Sequence, residues 1–233
     1  MHGSRYSYRD GFGFQAKCVT PRDGFWLDSV VRPSEYLFMA TSPFMEAPLT
    51  PWQIEWAYKQ GVFPMASENG EILWYKPEPR AVIPLDSFKV SKSLRKSSSK
   101  FEVSYNSNFE GVMRSCIRPN ANWINENLIR AYVELFHLGK GRSVESWQEG
   151  KLVGGVYGVA LGGAFMAESM FHTVTDAGKV ALWMLTIKLR ESGYQLLDVQ
   201  YQTEHLESLG AVEISHDEYL ERLTLALNHK VTW

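Results

Sequence analysis

Residues 143–168 read SVESWQEGKLVGGVYGVALGGAFMAE, and their pattern decides the fold class. Polar and apolar side chains alternate over 143–148, the period of a strand with one buried face. Glu149-Gly150 supplies turn chemistry, and residues 151–161 run back as a second strand. Gly162-Gly163 is the next turn, and residues 164–168 form the next strand, ending on Glu168. These are antiparallel hairpins. Asp176 then predicts the cap of a helix over 177–191 with Gly193 at its end, followed by a strand over 195–200. Strand, helix and strand over 164–200 imply one crossover, right-handed if the two strands are parallel neighbours.

Outward from this centre, residues 211–214 read as a shorter strand and 217–227 as a final helix. Upstream, 126–138 is an amphipathic helix closed by Gly139, with Leu128, Ala131, Tyr132, Leu135 and Phe136 on one side. Thr50-Pro51 opens a helix that Gly61 ends, with Ile54, Ala57 and Tyr58 on one face. Residues 61–71 read as a loop, 72–75 as a short aromatic strand and 81–84 as another strand. Residues 1 to about 47 show neither period and read as loops and short pieces. Pro77 and Pro79 favour an extended connector, so the boundary is placed there: a small domain over 1–79 and a larger one over 80–233. Helices packed on a mostly antiparallel sheet make the class α+β.

Composition removes several classes of function. The 233 residues carry 24 Lys and Arg against 26 Asp and Glu, a formal charge of −2, which excludes nucleic-acid binding by bulk charge but not by a local patch. With 45% hydrophobic and 21% charged residues, the chain is ordinary globular material. Cys18 and Cys116 allow one disulfide at most and form no CxxC pair, so reduced thiols in a cytoplasmic protein are the simpler expectation. The uncharged run at 152–167 is shorter than the ~20 residues a membrane span needs, and glycines interrupt it. Gly154-Gly155-Val156-Tyr157-Gly158 is not GxGxxG, Gly139-Lys140-Gly141 lacks the Walker spacing, no His pair has zinc spacing, and no Ser stands in a GxSxG elbow. Hydride transfer, ATP hydrolysis, zinc hydrolysis and serine-hydrolase chemistry all lose support.

Polar groups in unusual places remain. Glu168 ends an apolar strand, where a carboxylate must be paired or face a cavity. Asp198 and Gln200 are two apart on a strand and so share a face. Each has a bland reading as a hydrogen-bonded structural group; three at the ends of neighbouring strands point to a shared site. The glycines at 154, 155, 158, 162 and 163 are either bulges and turns or places where a ligand approaches closely. Lys89, Lys92, Arg95, Lys96 and Lys100 fall in a stretch without acids, by default a solvated loop, functionally a phosphate contact. Trp123 is either core or a platform for an unpaired base.

Together these stretches resemble the leucyl/phenylalanyl-tRNA–protein transferase family. The resemblance is carried by AYKQGVFPM at 57–65, ILWYKPEPRAV at 72–82, NWI at 122–124, GGVYGVA at 154–160, FMAESMF at 165–171, DVQ at 198–200 and HLESLGA at 205–211. They occur in family order over some three-quarters of the chain. Departures are Phe38-Met39-Ala40-Thr41-Ser42-Pro43-Phe44 in place of a common Leu-x-x-Gly-Gly-Asp-Leu, Met65 where some members have Trp, and Thr203 where some have Asn.

The resemblance implies a small N-terminal domain and a C-terminal domain like the GCN5-related N-acyltransferases. It implies transfer of Leu or Phe, less often Met, from aminoacyl-tRNA to the α-amino group of proteins beginning with Arg or Lys. Such transfer marks them for degradation by the N-end rule. It places Asp198 and Gln200 at the reacting centre, Asp198 orienting Gln200, and gives Glu168 the basic N-terminal residue or its ammonium. A donor pocket would be lined by Val156, Phe165, Met170, Leu185 and Leu197, with Ser169 beside it. Trp123 would stack the terminal adenosine, and Lys89, Lys92, Arg95, Lys96 and Lys179 would meet the acceptor stem. The resemblance implies no metal and no organic cofactor; nothing in the sequence demands more than a monomer, and no membrane partner is expected.

Two other functions fit the same residues less well. An acyl-CoA-dependent N-acetyltransferase needs an Arg/Gln-x-x-Gly-x-Gly/Ala turn that is absent. A non-enzymatic binder of basic protein N-termini needs Glu168 and a groove, but no Asp198–Gln200 pair.

Overall fold

The structure is a computed structural model. It describes residues 48–67, 69–118 and 123–233, together with the backbone of three strands ahead of them. Those are β1 (Ser7–Arg9), β2 (Gln15–Val19) and β3 (Tyr36–Ala40), paired antiparallel in succession. The sheet continues through β5 (Ile72–Lys76) and ends on β4 (Phe63–Ala66). Two sequence expectations are corrected here: residues 1–47 are not wholly irregular, and 61–71 is not all loop. The strands are short, and what specifies them is pairing with one another and, through β3 and β4, with β5, which local periodicity does not register. Pro64 is tolerated in β4 because β4 is an edge strand. Residues 41–44 of the divergent segment lie outside the described residues.

Between β3 and β4 lies α1 (Pro51–Lys59), opened as the sequence requires. The Thr50 side chain accepts from the Gln53 N–H, and the Gln53 side chain returns to the Thr50 N–H, a complete capping box. Gly61, at φ +76°, follows its end.

The larger sheet has seven strands: β6 (Arg80–Val82), β7 (Glu102–Tyr105), β8 (Gly141–Gln148), β9 (Lys151–Leu161), β10 (Ala164–His172), β11 (Leu196–Gln200) and β12 (Val212–Ile214). Their order is β12-β6-β11-β10-β9-β8-β7. β10 and β11 are parallel, joined by the crossover helix α5 (Ala177–Glu191), and the remaining pairs are antiparallel. The α+β class and the crossover stand as read from the sequence. Strand β10 runs four residues beyond its expected end, so Glu168 lies inside it.

Alternation along the strands sends side chains into two apolar layers. One joins Tyr157, Val159, Met166 and Leu196 to α1, α3 (Phe109–Ser115), α4 (Glu126–His137) and α7 (His216–Leu227). The other joins Val156, Phe165 and Leu197 to α5 and to Leu94. Leu94 belongs to α2 (Lys92–Ser98), which corrects the expectation of a loop over 89–100. Its signal was Ser91, whose side chain caps the Leu94 N–H, but only one apolar residue of α2 is buried, too few to make a periodic face. Asp176 precedes α5 without capping it; at φ +70° its carboxylate accepts instead from the Ser97 hydroxyl at 2.8 Å, tying α2 to α5.

The glycines within β9 serve close packing. A Cβ on Gly154 would sit 2.6 Å from the carbonyl carbon of Ala177, so the first turn of α5 lies directly on β9 there. One on Gly158 would meet the Met166 carbonyl oxygen at 2.2 Å. Cys116 is a buried free thiol pushed up to about 12 by burial, hence unreactive. The Cys18 side chain lies outside the described residues.

Candidate active site

The site begins where two strands part. The β10–β11 ladder pairs Ala164 with Leu196, Phe165 with Leu197 and Met166 with Asp198, and then stops. Beyond it β10 stays with β9 as far as His172, and β11 goes with β6 to Gln200. Each strand also breaks register at the mouth, β10 between Ala167 and Ser169 and β11 between Asp198 and Gln200. A bulge re-aims side chains at the cost of one rung of pairing. Here the two bulges turn Glu168 and Gln200 toward each other, and the Gln200 Nε2 donates to Glu168 Oε1 at 2.9 Å across the opening. Gln200 takes φ +65°, a left-handed conformation uncommon for any residue but glycine.

Asp198, fully buried, is bound on every side. Its Oδ1 accepts from Arg80 Nε and from the Gln200 main-chain N–H, both at 2.9 Å. Its Oδ2 accepts from Arg80 Nη2 at 2.6 Å and from the Tyr219 hydroxyl at 2.9 Å. Arg80, also fully buried, donates Nη1 to the Gly61 carbonyl at 2.9 Å. Its guanidinium lies 4.4 Å from the Tyr219 ring centroid and 5.2 Å from that of Phe63. A bidentate pair between aromatic faces holds Arg80 charged, above its ordinary value, despite its burial.

Glu168 is nearly buried, at 9% exposure. Besides Gln200 it accepts from Tyr132 at 3.0 Å and from Tyr58, and the two phenol oxygens lie 2.6 Å apart. These three contacts among two phenols and a carboxyl need three protons, and the phenols supply two. A proton on Glu168, donated to one phenol so that this phenol's own O–H turns to the other, completes the set. Burial accordingly pushes its carboxyl up to about 7, against the Tyr58 and Tyr132 hydrogen bonds that favour the ionised form; Asp198 adds to the rise, and Arg80 opposes it. Tyr58, Tyr132 and Tyr157 are driven up in turn by burial and by the Glu168 charge, so they stay protonated.

The consequence for stability has a definite sign. The folded carboxyl keeps its proton up to about pH 7, whereas the unfolded one releases it near 4.5, so the native state binds more protons between those values. The contribution is fully present below pH 4.5 and is lost as pH rises through 7. Thermal midpoints measured from pH 5 to 8 are expected to fall less in Glu168→Gln than in the unsubstituted protein; parallel curves would contradict this.

The structure thus brings Glu168, Asp198 and Gln200 into one network, and it adds four residues that sequence reasoning did not assign: Arg80, Tyr58, Tyr132 and Tyr219. The available signals were an arginine opening the apolar run 80–83 and tyrosines on apolar helix faces, both of which read equally as core. Trp123 is half-buried and lines a crevice beside Glu168 with Pro64, Met113, Ile124, Tyr132 and Tyr157, too tight to admit a water molecule. The residues expected to line a donor pocket belong to the other apolar layer. Val156, Phe165, Leu185 and Leu197 are buried in the α5 layer with Met170 against them, whereas Tyr58 and Tyr132 reach Glu168 from the opposite face. Ser169 stands at the β10 bulge between the two.

Lys89, Lys92, Arg95 and Lys96 are exposed. The Lys89 N–H donates to the Leu209 carbonyl at the end of α6 (Glu204–Ser208), the helix that follows Gln200 and is capped by Thr203. The Arg95 guanidinium lies 5.8 Å from the Trp183 ring centroid on α5. Lys179 is in the first turn of α5, 3.5 Å from Asp176. Burial, helped by the charges of Lys179 and His172, pushes His205 down. Arg95 and Lys179 thus lie on α5 or against it, and Lys89 lies beside the end of α6. Among the described residues no cluster of His, Cys, Asp or Glu has the makings of a metal site, and no helix is long and apolar enough to cross a membrane.

A family profile described as leucyl/phenylalanyl-tRNA protein transferase matches residues 82–224, and one for the N-terminal domain of the same proteins matches 47–78. The chain belongs to the leucyl/phenylalanyl-tRNA–protein transferase family. It is 51% identical to the transferase of that name from Paramagnetospirillum magneticum over 188 residues, covering 77% of this chain and 90% of the relative. It is 47% identical to that of Chlorobaculum tepidum over 184 residues, covering 76% and 95%. A GCN5-related N-acetyltransferase-like protein from Streptococcus suis superposes with a TM-score of 0.35 at 15% identity, covering 70% of this chain and 63% of that one. Members of the family are aminoacyltransferases, and the network of Glu168, Gln200, Asp198 and Arg80 lies within the matched residues or, for Arg80, between the two matches.

Proposed function

We propose that this protein transfers Leu or Phe, less often Met, from aminoacyl-tRNA to the α-amino group of proteins whose first residue is Arg or Lys, marking them for N-end rule degradation in the cytoplasm. The reading is carried by one observation: a buried carboxyl and a primary amide, Glu168 and Gln200, meet across the mouth where β10 and β11 separate. Family membership supports the donor and acceptor classes.

In this reading Glu168, in its ionised form, holds the acceptor's basic first residue by a charge-assisted bond and takes the proton of the α-ammonium beside it, since a group near 7 exchanges with an α-amino group at neutral pH. The freed amine nitrogen bonds the ester carbonyl carbon. Gln200 holds the amine or the oxygen on which charge develops. The bond to the ribose oxygen then breaks, and that oxygen leaves with a proton. The ester is already activated, so positioning supplies much of the rate. Trp123 stacks the terminal adenosine, while Lys89, Lys92, Arg95, Lys96 and Lys179 meet phosphates. Val156, Phe165, Met170, Leu185 and Leu197 supply the apolar donor side, on the α5 face of the sheet. Residues 1–79 and 80–233 act as two units of one monomer.

The test is direct. Incubated with Phe-tRNA, the protein is expected to modify a peptide beginning with Arg and not the same peptide beginning with Asp, read by mass spectrometry. Acetylation that requires CoA, with no transfer from Phe-tRNA, would reject the reading.

A further inference from the structure

We infer that Arg80 is a positioning residue for Gln200: it locks Asp198 so that Asp198 holds the Gln200 backbone in the left-handed conformation from which its amide reaches Glu168. The inference rests on the transferase reading above and deepens it. Four elements converge on this one guanidinium. Its Nε and Nη2 fork the Asp198 carboxylate, its Nη1 takes the carbonyl of Gly61 beyond α1, and its Nη2 also lies 3.3 Å from the Tyr219 hydroxyl of α7. Phe63 and Tyr219 fix its plane. The fork leaves Asp198 one route of action, through Oδ1 to the Gln200 N–H at the point where β11 slips register against β6.

Two consequences follow from this geometry. A left-handed glutamine is costly unless its surroundings over-determine it; the Asp198 hydrogen bond, held rigid by Arg80, restrains its N–H, beside the pairing with Ala81 and the side-chain bond to Glu168. Asp198, saturated by three donor groups, acts as a strut rather than as a base. A lysine at position 80 would keep the charge but lose the planar fork and its grip on carboxylate orientation.

Two variants test the inference. Arg80→Lys retains the charge. The double variant R80Q/D198N removes both buried charges together, so neither is left unpaired. For each, kcat and KM for Phe-tRNA are measured with the Arg peptide, together with the main-chain coupling between HN and Hα of Gln200 in labelled protein, which reports φ. The expected result is a fall in kcat on the order of 100-fold in the double variant, the scale of a small misplacement of a reacting group. KM for Phe-tRNA stays within about twofold, as expected when an interaction made only in the transition state is lost. The Gln200 coupling changes, and R80K lies between. Unchanged kcat per folded molecule with an unchanged Gln200 coupling, whatever happens to the thermal midpoint, would overturn the inference. If the unsubstituted protein transfers nothing, the transferase reading fails separately, and the Gln200 coupling still decides whether Arg80 sets its backbone.

Discussion

Asp198→Ala is expected to lower the unfolding free energy by about 3–5 kcal/mol, because it leaves the Arg80 guanidinium buried without its counter-charge. Arg80 has no route to water: it is fully buried, with Phe63 and Tyr219 over its faces. Its remaining partners, the Gly61 carbonyl and the Tyr219 hydroxyl, carry no charge to offset it. In a chain of this length each kcal/mol moves the midpoint by roughly 2–4 °C, so calorimetry should record a fall of roughly 6–20 °C. Asp198→Asn keeps an acceptor oxygen for the Gln200 N–H and should fall less. A shift under about 2 °C for Asp198→Ala would mean that the pair is not the buried strut described. The size of this effect bears on any activity measurement: turnover of Asp198→Ala reports catalysis only after correction for the folded fraction. Gln200→Ala removes an amide at the strand mouth without exposing a charge, so its loss of turnover needs no such correction.

Glu168→Gln is expected to act in the opposite sense on stability and strongly on activity. Above pH 7 the substitution removes a carboxylate that burial disfavours, so the midpoint at pH 8 holds or rises. Transfer to a peptide beginning with Arg should fall by roughly 100- to 1,000-fold, the usual cost of deleting one preorganised polar group from a water-excluded site. The ratio of rates on Arg- and Asp-initiated peptides should collapse towards one, since the charge that distinguishes them is gone. Retained discrimination would remove Glu168 from acceptor recognition. A site that is less stable with its functional carboxylate than without it is the common pattern of a group held for chemistry rather than for folding. Glu168 and Asp198 then differ in a way their residue types do not announce: one is a buried acid near neutrality in a cluster of phenols, the other an ion clamped by arginine.

Local chemistry determined much of this protein by itself. The Thr50-Pro51 helix start, the Glu149-Gly150 turn, the apolar face of α4 and the strand–helix–strand passage into β11 are specified by near neighbours, and all were legible in order along the chain. Glu168, Asp198 and Gln200 were legible too, because polar groups in apolar strands demand partners. The partners themselves were not. Arg80 lies 118 residues from Asp198, and Tyr58 lies 110 from Glu168. No periodicity links such positions, and a buried arginine or tyrosine looks like any other core-facing residue until its neighbour is known. Strands β1 to β3 and the helix over the basic run were missed for a related reason: the strands pair with one another and, at β3, with β5, and the helix is tied to α5, rather than either being marked by its own pattern. Only the folded chain decides where β10 and β11 part and where each bulges. Those two breaks in register turn three separately readable polar residues into one site, because hydrogen bonds and buried charges are satisfied in space and not along the sequence.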